Sequence, residues 1–305
     1  MTLAAKPIPR TTLAALTASL ALSGCGKDEE EAAPAPPPAV TSSGASIKLR
    51  GDFTPPENAS LEVTQMLALE NGAVLARSGE SEITGKMSVT LTEQHTIRFP
   101  DDGSRQIAVG EGGAELHTKL GDNPAEEESQ PDPLAGKTVI AQADPDGQWI
   151  YKLAEGTEGT LPAGFASADL RSEQLYPEGF LTFGDSWKPE PAALAQLLGA
   201  GFQLRSGEIK LRLIAIKPLR GQNCAEITAD IKADGVFRSA ESRQDVTLRL
   251  KGRIFRSLHL YQDVEAELSG TMELRSKLGT EEVRIEGPAK FRRTATWSRP
   301  VPDES

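Results

Sequence analysis

Seventeen consecutive residues, ITGKMSVTLTEQHTIRF at 83–99, alternate strictly between two classes of side chain. One row runs from Ile83 to Phe99 and is mostly apolar, whereas the intervening row holds only polar or charged residues. This alternation predicts a β-strand with one buried face, or two collinear strands joined by a bulge. At about 3.3 Å per residue the segment would reach roughly 55 Å, far beyond the usual strand length, so it must twist and curl.

The second half of the chain repeats this pattern between residues 246 and 274. Even-numbered positions there are almost all apolar or glycine, and odd-numbered positions are mostly charged or polar. A turn near 260–263 is expected to fold this stretch into a hairpin. Further turn signals occur at Asn71-Gly72, Asp101-Asp102-Gly103 and 144–147, and such short returns make the sheets antiparallel.

The expected fold is mainly β, with long curved antiparallel sheets that are half-barrel-like and one or two short helices. An aromatic content of 5% fits sheets with one solvated face better than a thick α/β core. Helix is expected at 191–199, which begins with Pro191, and at 167–175. Residues 122–136 are expected to form an exposed acidic loop. Other strands are predicted at 47–53, 60–70, 73–77, 105–109, 114–120, 137–143, 148–153, 207–216, 224–232 and 282–297.

These patterns divide the chain into two β-rich halves of related layout. The predicted boundaries are a signal peptide at 1–24, a tether at 25–46, an N-terminal half at 47–154, a connecting segment at 155–189, a C-terminal half at 190–300 and a tail at 301–305.

The N-terminus has the pattern of an export signal. Lys6 and Arg10 precede an uncharged Leu- and Ala-rich run at 11–22, which is too short for a helix that crosses a bilayer. The run ends in Leu22-Ser23-Gly24-Cys25, which resembles the lipobox of bacterial lipoproteins. The resemblance implies cleavage before Cys25, diacylglycerol on its thiol and an acyl chain such as palmitate on its amine. Two or three chains would anchor the protein almost permanently.

The residues after Cys25 extend this expectation. Gly26 stands where an aspartate would retain a lipoprotein in the inner membrane, so the resemblance favours the outer membrane, facing the periplasm. Residues 27–46, KDEEEAAPAPPPAVTSSGAS, are charged and rich in proline and small residues, a composition that prevents a packed core. They are expected to form a disordered tether.

Composition also limits the chemistry. The net charge of −11 makes nucleic acid a poor partner. Besides Cys25 the chain has only Cys224, so no internal disulfide is expected, and we expect Cys224 to be buried. The three histidines do not have a metal-ligand spacing, so neither a metal nor another cofactor is expected.

Three residues are weak site candidates. Glu93 and His95 share the inward row of the long strand and could form an acid–base pair, but no third member is visible, so a structural pair is preferred. Trp187 closes a Gly184-Asp185-Ser186-Trp187 turn, where anchoring against the sheet is preferred over ligand contact. Ser186 lies outside a G-x-S-x-G elbow, and Cys224 is expected to pack rather than react.

Residues 176–187, YPEGFLTFGDSW, resemble the "GDSW" segment of uncharacterised families of exported bacterial β proteins. The resemblance extends in strand order over 135–297. It implies no activity and no functional residues.

Three functions are consistent with these features. The first is a lipid-anchored, non-enzymatic binding module whose concave apolar face takes a lipid or another apolar ligand. The second is a structural or protein-partner lipoprotein of the cell envelope, in which the protein's own side chains fill the concavity. The third, an envelope hydrolase, has no visible catalytic constellation and is the least favoured.

Overall fold

The computed structural model describes residues 46–52, 55, 59–100, 102–144, 149–161, 173–194, 197, 202–238, 243–278 and 281–298. The predicted signal peptide, the lipobox residues Leu22, Ser23, Gly24 and Cys25, all but the last tether residue, and the C-terminal tail lie outside the described residues.

The regular secondary structure of the described chain is almost entirely β. Its strands are β1 Ile47–Lys48, β2 Ser60–Ser78, β3 Ser81–Arg98, β4 Arg105–Val109, β5 Gly113–Leu120, β6 Glu126–Pro131, β7 Thr138–Ala143, β8 Trp149–Leu153, β9 Phe180–Leu181, β10 Ser186–Trp187, β11 Phe202–Leu219, β12 Gln222–Arg238, β13 Arg243–Ser257, β14 Asp263–Leu278 and β15 Glu281–Ser298. Two 3-10 turns, at Glu173–Leu175 and Pro191–Ala193, lie within the two predicted helices, and Leu194 and Leu197 of the second are helical.

Thirteen strands form one sheet whose order is β10-β11-β12-β13-β14-β15-β2-β3-β4-β7-β8, with β5 also paired to β3 and β6 to β5. The remaining two strands, β1 and β9, pair with each other. Every pairing is antiparallel, which confirms the predicted fold class. Strand β15 pairs along its length with β2, so strands from both predicted halves belong to one continuous sheet.

The alternating segments form the predicted long strands because each strand turns one row of side chains toward the core. On β3 the inward row is buried or half-buried from Met87 to Ile97. The even-numbered rows of β13 and β14 are buried in the same way, and the chain turns between Ser257 and Asp263 as expected.

The Asn71-Gly72 hairpin prediction is wrong. Strand β2 continues through both residues, and the register shifts between Leu69 and Gly72, which marks a bulge. Asn71 takes φ 48° and its amide donates to Ser88 Oγ at 3.0 Å. The apolar row resumes at Val74, so one bulged strand buries both runs, and the chain reverses instead at Gly79, with φ 60°.

Two further expectations need correction. The predicted acidic loop at 122–136 contains β6, whose main chain pairs with β5 although most of its side chains are exposed. The predicted strand at 47–53 is limited to Ile47–Lys48. In both places main-chain pairing determines whether and how far a strand forms, and side-chain composition does not reveal that pairing.

The inner face of the sheet carries two apolar clusters. The larger is built on β11–β15 and parts of β2 and β3, and Leu49, Leu175, Tyr176, Leu194 and Leu197 from the flanking segments pack onto it. The smaller joins β2, β3, β4, β7 and β15. The described inner face is thus covered by the protein's own side chains.

Candidate functional site

Polar residues interrupt the inner face between the two apolar clusters. Arg293, Gln65 and Glu93 lie side by side on β15, β2 and β3, and His95 follows one pleat further along β3. We call Glu93, His95, Asp132, Arg256, Asp263 and Arg293 the ionic cluster. Its members come from β3, β13, β14, β15 and the segment after β6, so only the folded sheet brings them together.

Asp263 is the centre of this cluster. Its carboxylate accepts hydrogen bonds from Arg256 Nη1 at 2.9 Å, Arg293 Nη2 at 3.1 Å and Tyr176 Oη at 2.7 Å. All four residues are buried, and two cations with one hydroxyl satisfy the buried carboxylate. Burial, followed by the charge of Asp263, raises the pKa of Tyr176 far above its usual value, so its hydroxyl stays a donor.

Arg256 connects this centre to the segments that cover the sheet. Its Nε donates to the Leu49 carbonyl at 2.7 Å, and its guanidinium stacks 3.9 Å from the centroid of the Tyr176 ring. Its Nη2 is buried and has no hydrogen-bond partner within the described residues. The arginine therefore fixes both Leu49, near the start of the described chain, and Tyr176 of the connecting segment.

Glu93 and His95 lie at the more open end of the cluster. Burial, reinforced by the charge of Asp132 and opposed by Arg293, raises the pKa of Glu93 to about 7. Burial lowers the pKa of His95, with Asp132 opposing the shift. The predicted inward placement of Glu93 and His95 is observed, and Asp132 and Arg293 are the neighbours that the sequence did not identify.

Trp187 anchors the connecting segment. Its Nε1 donates to the Leu175 carbonyl at 2.8 Å, and its ring lies 6.4 Å from the Tyr176 ring. The preceding turn uses Gly184 at φ 97°, and the Asp185 carboxylate accepts from the Thr182 amide at 2.8 Å. These contacts hold the short strand β10 at the edge of the sheet.

Cys224 is fully buried, and burial together with the charge of Glu265 raises the pKa of its thiol to about 11. The thiol is therefore protonated at neutral pH and unsuited to nucleophilic chemistry. Within the described ranges no three His, Cys, Asp or Glu side chains converge as metal ligands, and no helix is long and apolar enough to cross a membrane.

The opposite, outer face of the sheet carries two grooves. One has a volume of about 870 Å³, a floor that includes Thr64, Met66, Thr92 and Thr294, and glutamate and arginine side chains at its rim. We call it the threonine groove. Arg220, in the turn between β11 and β12 at φ 50°, reaches over it and contacts Thr296 and Glu265.

The second groove, of about 570 Å³, crosses the outer side of β10–β13 and is bordered by Lys188, Lys210, Arg212 and Lys251. Because Leu211 and Ala229 point inward and are buried, the outward-pointing side chains form its walls.

Comparisons with known proteins do not establish a family. No protein-family model matches the chain. The chain is 28% identical over 192 residues to the HTH-type transcriptional regulator IpsA of Corynebacterium glutamicum, a match that covers 58% of this chain and 51% of that protein. The chain thus spans about half the length of the curated relative that it matches.

Among solved structures, the chain is similar to a DUF1329 family protein from Desulfovibrio piger, with a TM-score of 0.13 and 11% identity over 82% of this chain and 89% of the other. A likeness at this level does not assign a function.

Proposed function

We propose that the protein is a lipid-anchored, non-enzymatic lipoprotein of the cell envelope, fastened through Cys25, that binds a partner protein on the outer face of its sheet. The observation that carries the binding part is that the protein's own residues cover the described inner face, while the threonine groove stays open. This favours the protein-partner hypothesis over the apolar-ligand one.

The anchor rests on the sequence. A positive N-terminus, a short apolar run and Leu22-Ser23-Gly24-Cys25 stand in the order that the lipoprotein resemblance requires. The outer membrane, facing the periplasm, is the proposed location. The regulator title of the curated relative is not carried over, because the match covers half of that protein and the net charge of −11 opposes DNA binding.

The anchor is tested by labelling cells with a radioactive fatty acid. The wild-type chain should incorporate label and stay with the membrane fraction, whereas Cys25→Ala should lose both. Cys224→Ala is the matched control, because the same substitution at the second cysteine should leave labelling unchanged. Equal membrane association of the Cys25→Ala chain would refute the anchor.

The partner is tested by placing a photocrosslinking amino acid at Thr92, in the threonine groove, and, as a control, at Glu82 on the same strand β3 but outside the groove. Crosslinking in intact cells should trap one recurring protein from position 92 and not from position 82. A featureless pattern from both positions would count against a groove-bound partner.

The apolar-ligand alternative requires the covering residues, Leu175, Tyr176 and Leu194 among them, to leave the inner face. Organic extraction of the purified mature protein and mass spectrometry would test it. Stoichiometric lipid in the extract, with a thermal shift on its addition, would support this alternative over the proposed function.

The hydrolase alternative is favoured by one observation only, the raised pKa of Glu93 beside His95. An activity against envelope esters or polymers that Glu93→Gln abolishes, while the variant still unfolds cooperatively, would support it.

A further inference from the structure

The outer side of β11, β12 and β13 carries three consecutive cross-strand rows rich in positive charge. The register aligns them as Glu208–Lys232–Arg249, Lys210–Asp230–Lys251 and Arg212–Thr228–Arg253. We call this surface the basic face. Six of its nine positions are cationic and two are anionic, whereas the whole chain has a net charge of −11. Such segregation of charge needs an explanation beyond solubility.

Three cations of the basic face are available for contact, whereas Lys251 pairs with Asp230 and Arg253 pairs with the buried Glu226, each at 2.8 Å. Arg212, Lys232 and Arg249 are exposed and have no carboxylate partner among the described residues. Lys188, directly after β10, and Lys210 both approach Glu208, at 2.7 and 3.4 Å. These exposed pairs are weak, so an external anion can compete for the lysines.

The chain enters the fold near β10, the edge strand that borders this face, with Ile47 and Leu181 packed against the larger apolar cluster of the inner face. Strand β1 follows directly on the tether and pairs with β9, with Ile47 opposite Leu181 and Lys48 opposite Phe180. The four residues 182–185 then lead to β10, the edge strand beside the basic face. Phe180 of β9 is 70% exposed. A chain that leaves a membrane at Cys25 would therefore join the fold on its inner side at β1, whose partner β9 precedes the β10 edge of the basic face by four residues.

We propose that the basic face docks on the anionic lipid headgroups of the membrane that holds the anchor. This inference rests on the proposed lipid anchor and adds an orientation to it. The cations span three strands about 4.8 Å apart, a spread that fits a surface of headgroups better than one small anion. At physiological ionic strength the acidic remainder of the protein is screened beyond about 8 Å.

The orientation leaves the proposed partner groove free. Five pairings separate β11 from β2 in the sheet order. With a twist of about 20–25° at each, the outer surfaces at these two strands differ in direction by roughly 100–125°. The protein can thus face lipid with one part of its outer surface and the aqueous compartment with the other.

The test uses the mature chain, without residues 1–24 and with Cys25→Ser, so that binding does not depend on lipidation. Sedimentation with vesicles of 30% phosphatidylserine in phosphatidylcholine should show binding that disappears with pure phosphatidylcholine and weakens at high salt. Because one basic residue near an anionic surface contributes about fivefold in affinity, the triple variant Arg212→Gln, Lys232→Gln, Arg249→Gln should bind on the order of a hundredfold more weakly.

The matched control neutralises three exposed lysines elsewhere, as Lys86→Gln, Lys119→Gln, Lys152→Gln. It has the same net charge as the first triple variant but keeps the basic face intact, so it should retain most of the binding. Equal loss in both triple variants would overturn a specific face in favour of net charge. Lack of vesicle binding, or binding only to an acidic polypeptide such as polyglutamate, would overturn the membrane assignment. Such a failure would leave fatty-acid labelling at Cys25 unaffected, so the two proposals fail separately.

Discussion

At the scale of single residues, Asp263 determines whether two buried arginines are tolerated. Arg256 and Arg293 are both at most 1% exposed, and each donates to this carboxylate. Breaking a buried ion pair on one side typically costs about 3–5 kcal/mol because a charge is left uncompensated. The packing of the covering segments, which Arg256 and Tyr176 hold in place, therefore depends on the Asp263 carboxylate.

We expect Asp263→Asn to lower the free energy of unfolding by about 3–5 kcal/mol, measured by urea titration. The control is Glu82→Gln, which breaks the exposed pair with Arg77 at 2.9 Å and should cost less than about 1 kcal/mol. Similar losses in both variants would contradict the central role of Asp263.

Glu93 gives the same region a pH dependence. Its pKa is raised from 4.5 to about 7 in the folded protein, so the native state holds this proton where the unfolded chain has lost it. The stability that the proton contributes is complete below about pH 4.5 and is lost as the pH rises through 7. Since Glu93 is partly exposed, we expect the loss to be only about 1–3 kcal/mol.

The pH dependence is measured as the free energy of urea unfolding from pH 5 to pH 8.5. Wild-type stability should fall over this range relative to Glu93→Gln, which cannot ionise, whereas the opposing effect of His95 below pH 6.5 should be common to both chains. Glu111→Gln, an exposed substitution, should leave the slope unchanged. A wild-type slope retained in Glu93→Gln would assign the effect to another group.

At the scale of elements, strand glycines allow neighbouring long strands to approach. A Cβ at Gly252 would overlap the Glu267 carbonyl oxygen on the paired strand, and one at Gly270 would overlap that of Arg249. Both overlaps involve backbone rather than a flexible side chain, so the strands themselves would have to separate.

We expect Gly252→Ala to destabilise the protein by about 1–3 kcal/mol or more, read from thermal and urea unfolding. Gly179→Ala is the control, because a Cβ there would meet no atom within 4 Å and its backbone is not in the left-handed region. A Gly252→Ala chain as stable as the control would mean that the strands relax without cost.

The sequence predicts elements well where one row of a strand is buried, and poorly elsewhere. The inward rows of β3, β13 and β14 could be read directly because side-chain period and burial coincide. The bulge at Asn71 could not, since an Asn-Gly pair suits a hairpin and a bulge alike, and only the apolar rows on both sides decide between them. Strand β6 was missed because its pairing is made by main-chain atoms.

The ionic cluster could be predicted only in part. Glu93 and His95 stand out as polar residues in an apolar row, and Arg293 gives the same signal on β15, between Phe291 and Ala295. These polar residues lie close together because of the β15–β2 and β2–β3 registers, and a single sequence does not reveal those registers. Asp132 carries no periodic signal at all, because it follows β6 in a turn where its carboxylate accepts from the Leu134 amide.

At the scale of the whole molecule, the junction of β15 with β2 decides whether the two predicted halves behave independently. Phe291 of β15 lies opposite Leu67 of β2 on one side and Leu268 of β14 on the other. It is 2% exposed and belongs to the larger apolar cluster, which includes residues of both halves. Because the sheet is continuous across this junction, a loss of packing at Phe291 should destabilise the strands on both sides of it.

We expect Phe291→Ala to lower the free energy of unfolding by about 3–5 kcal/mol through the cavity that it leaves. In hydrogen exchange, amides of β3 and of β13, the two strands that flank the junction at a distance, should lose protection together, because their opening is linked to the same global unfolding. Phe180→Ala, at an exposed ring, should change neither. Loss of protection confined to β13 would instead show that 47–154 and 190–300 unfold as separate units, and that the shared sheet joins them only geometrically.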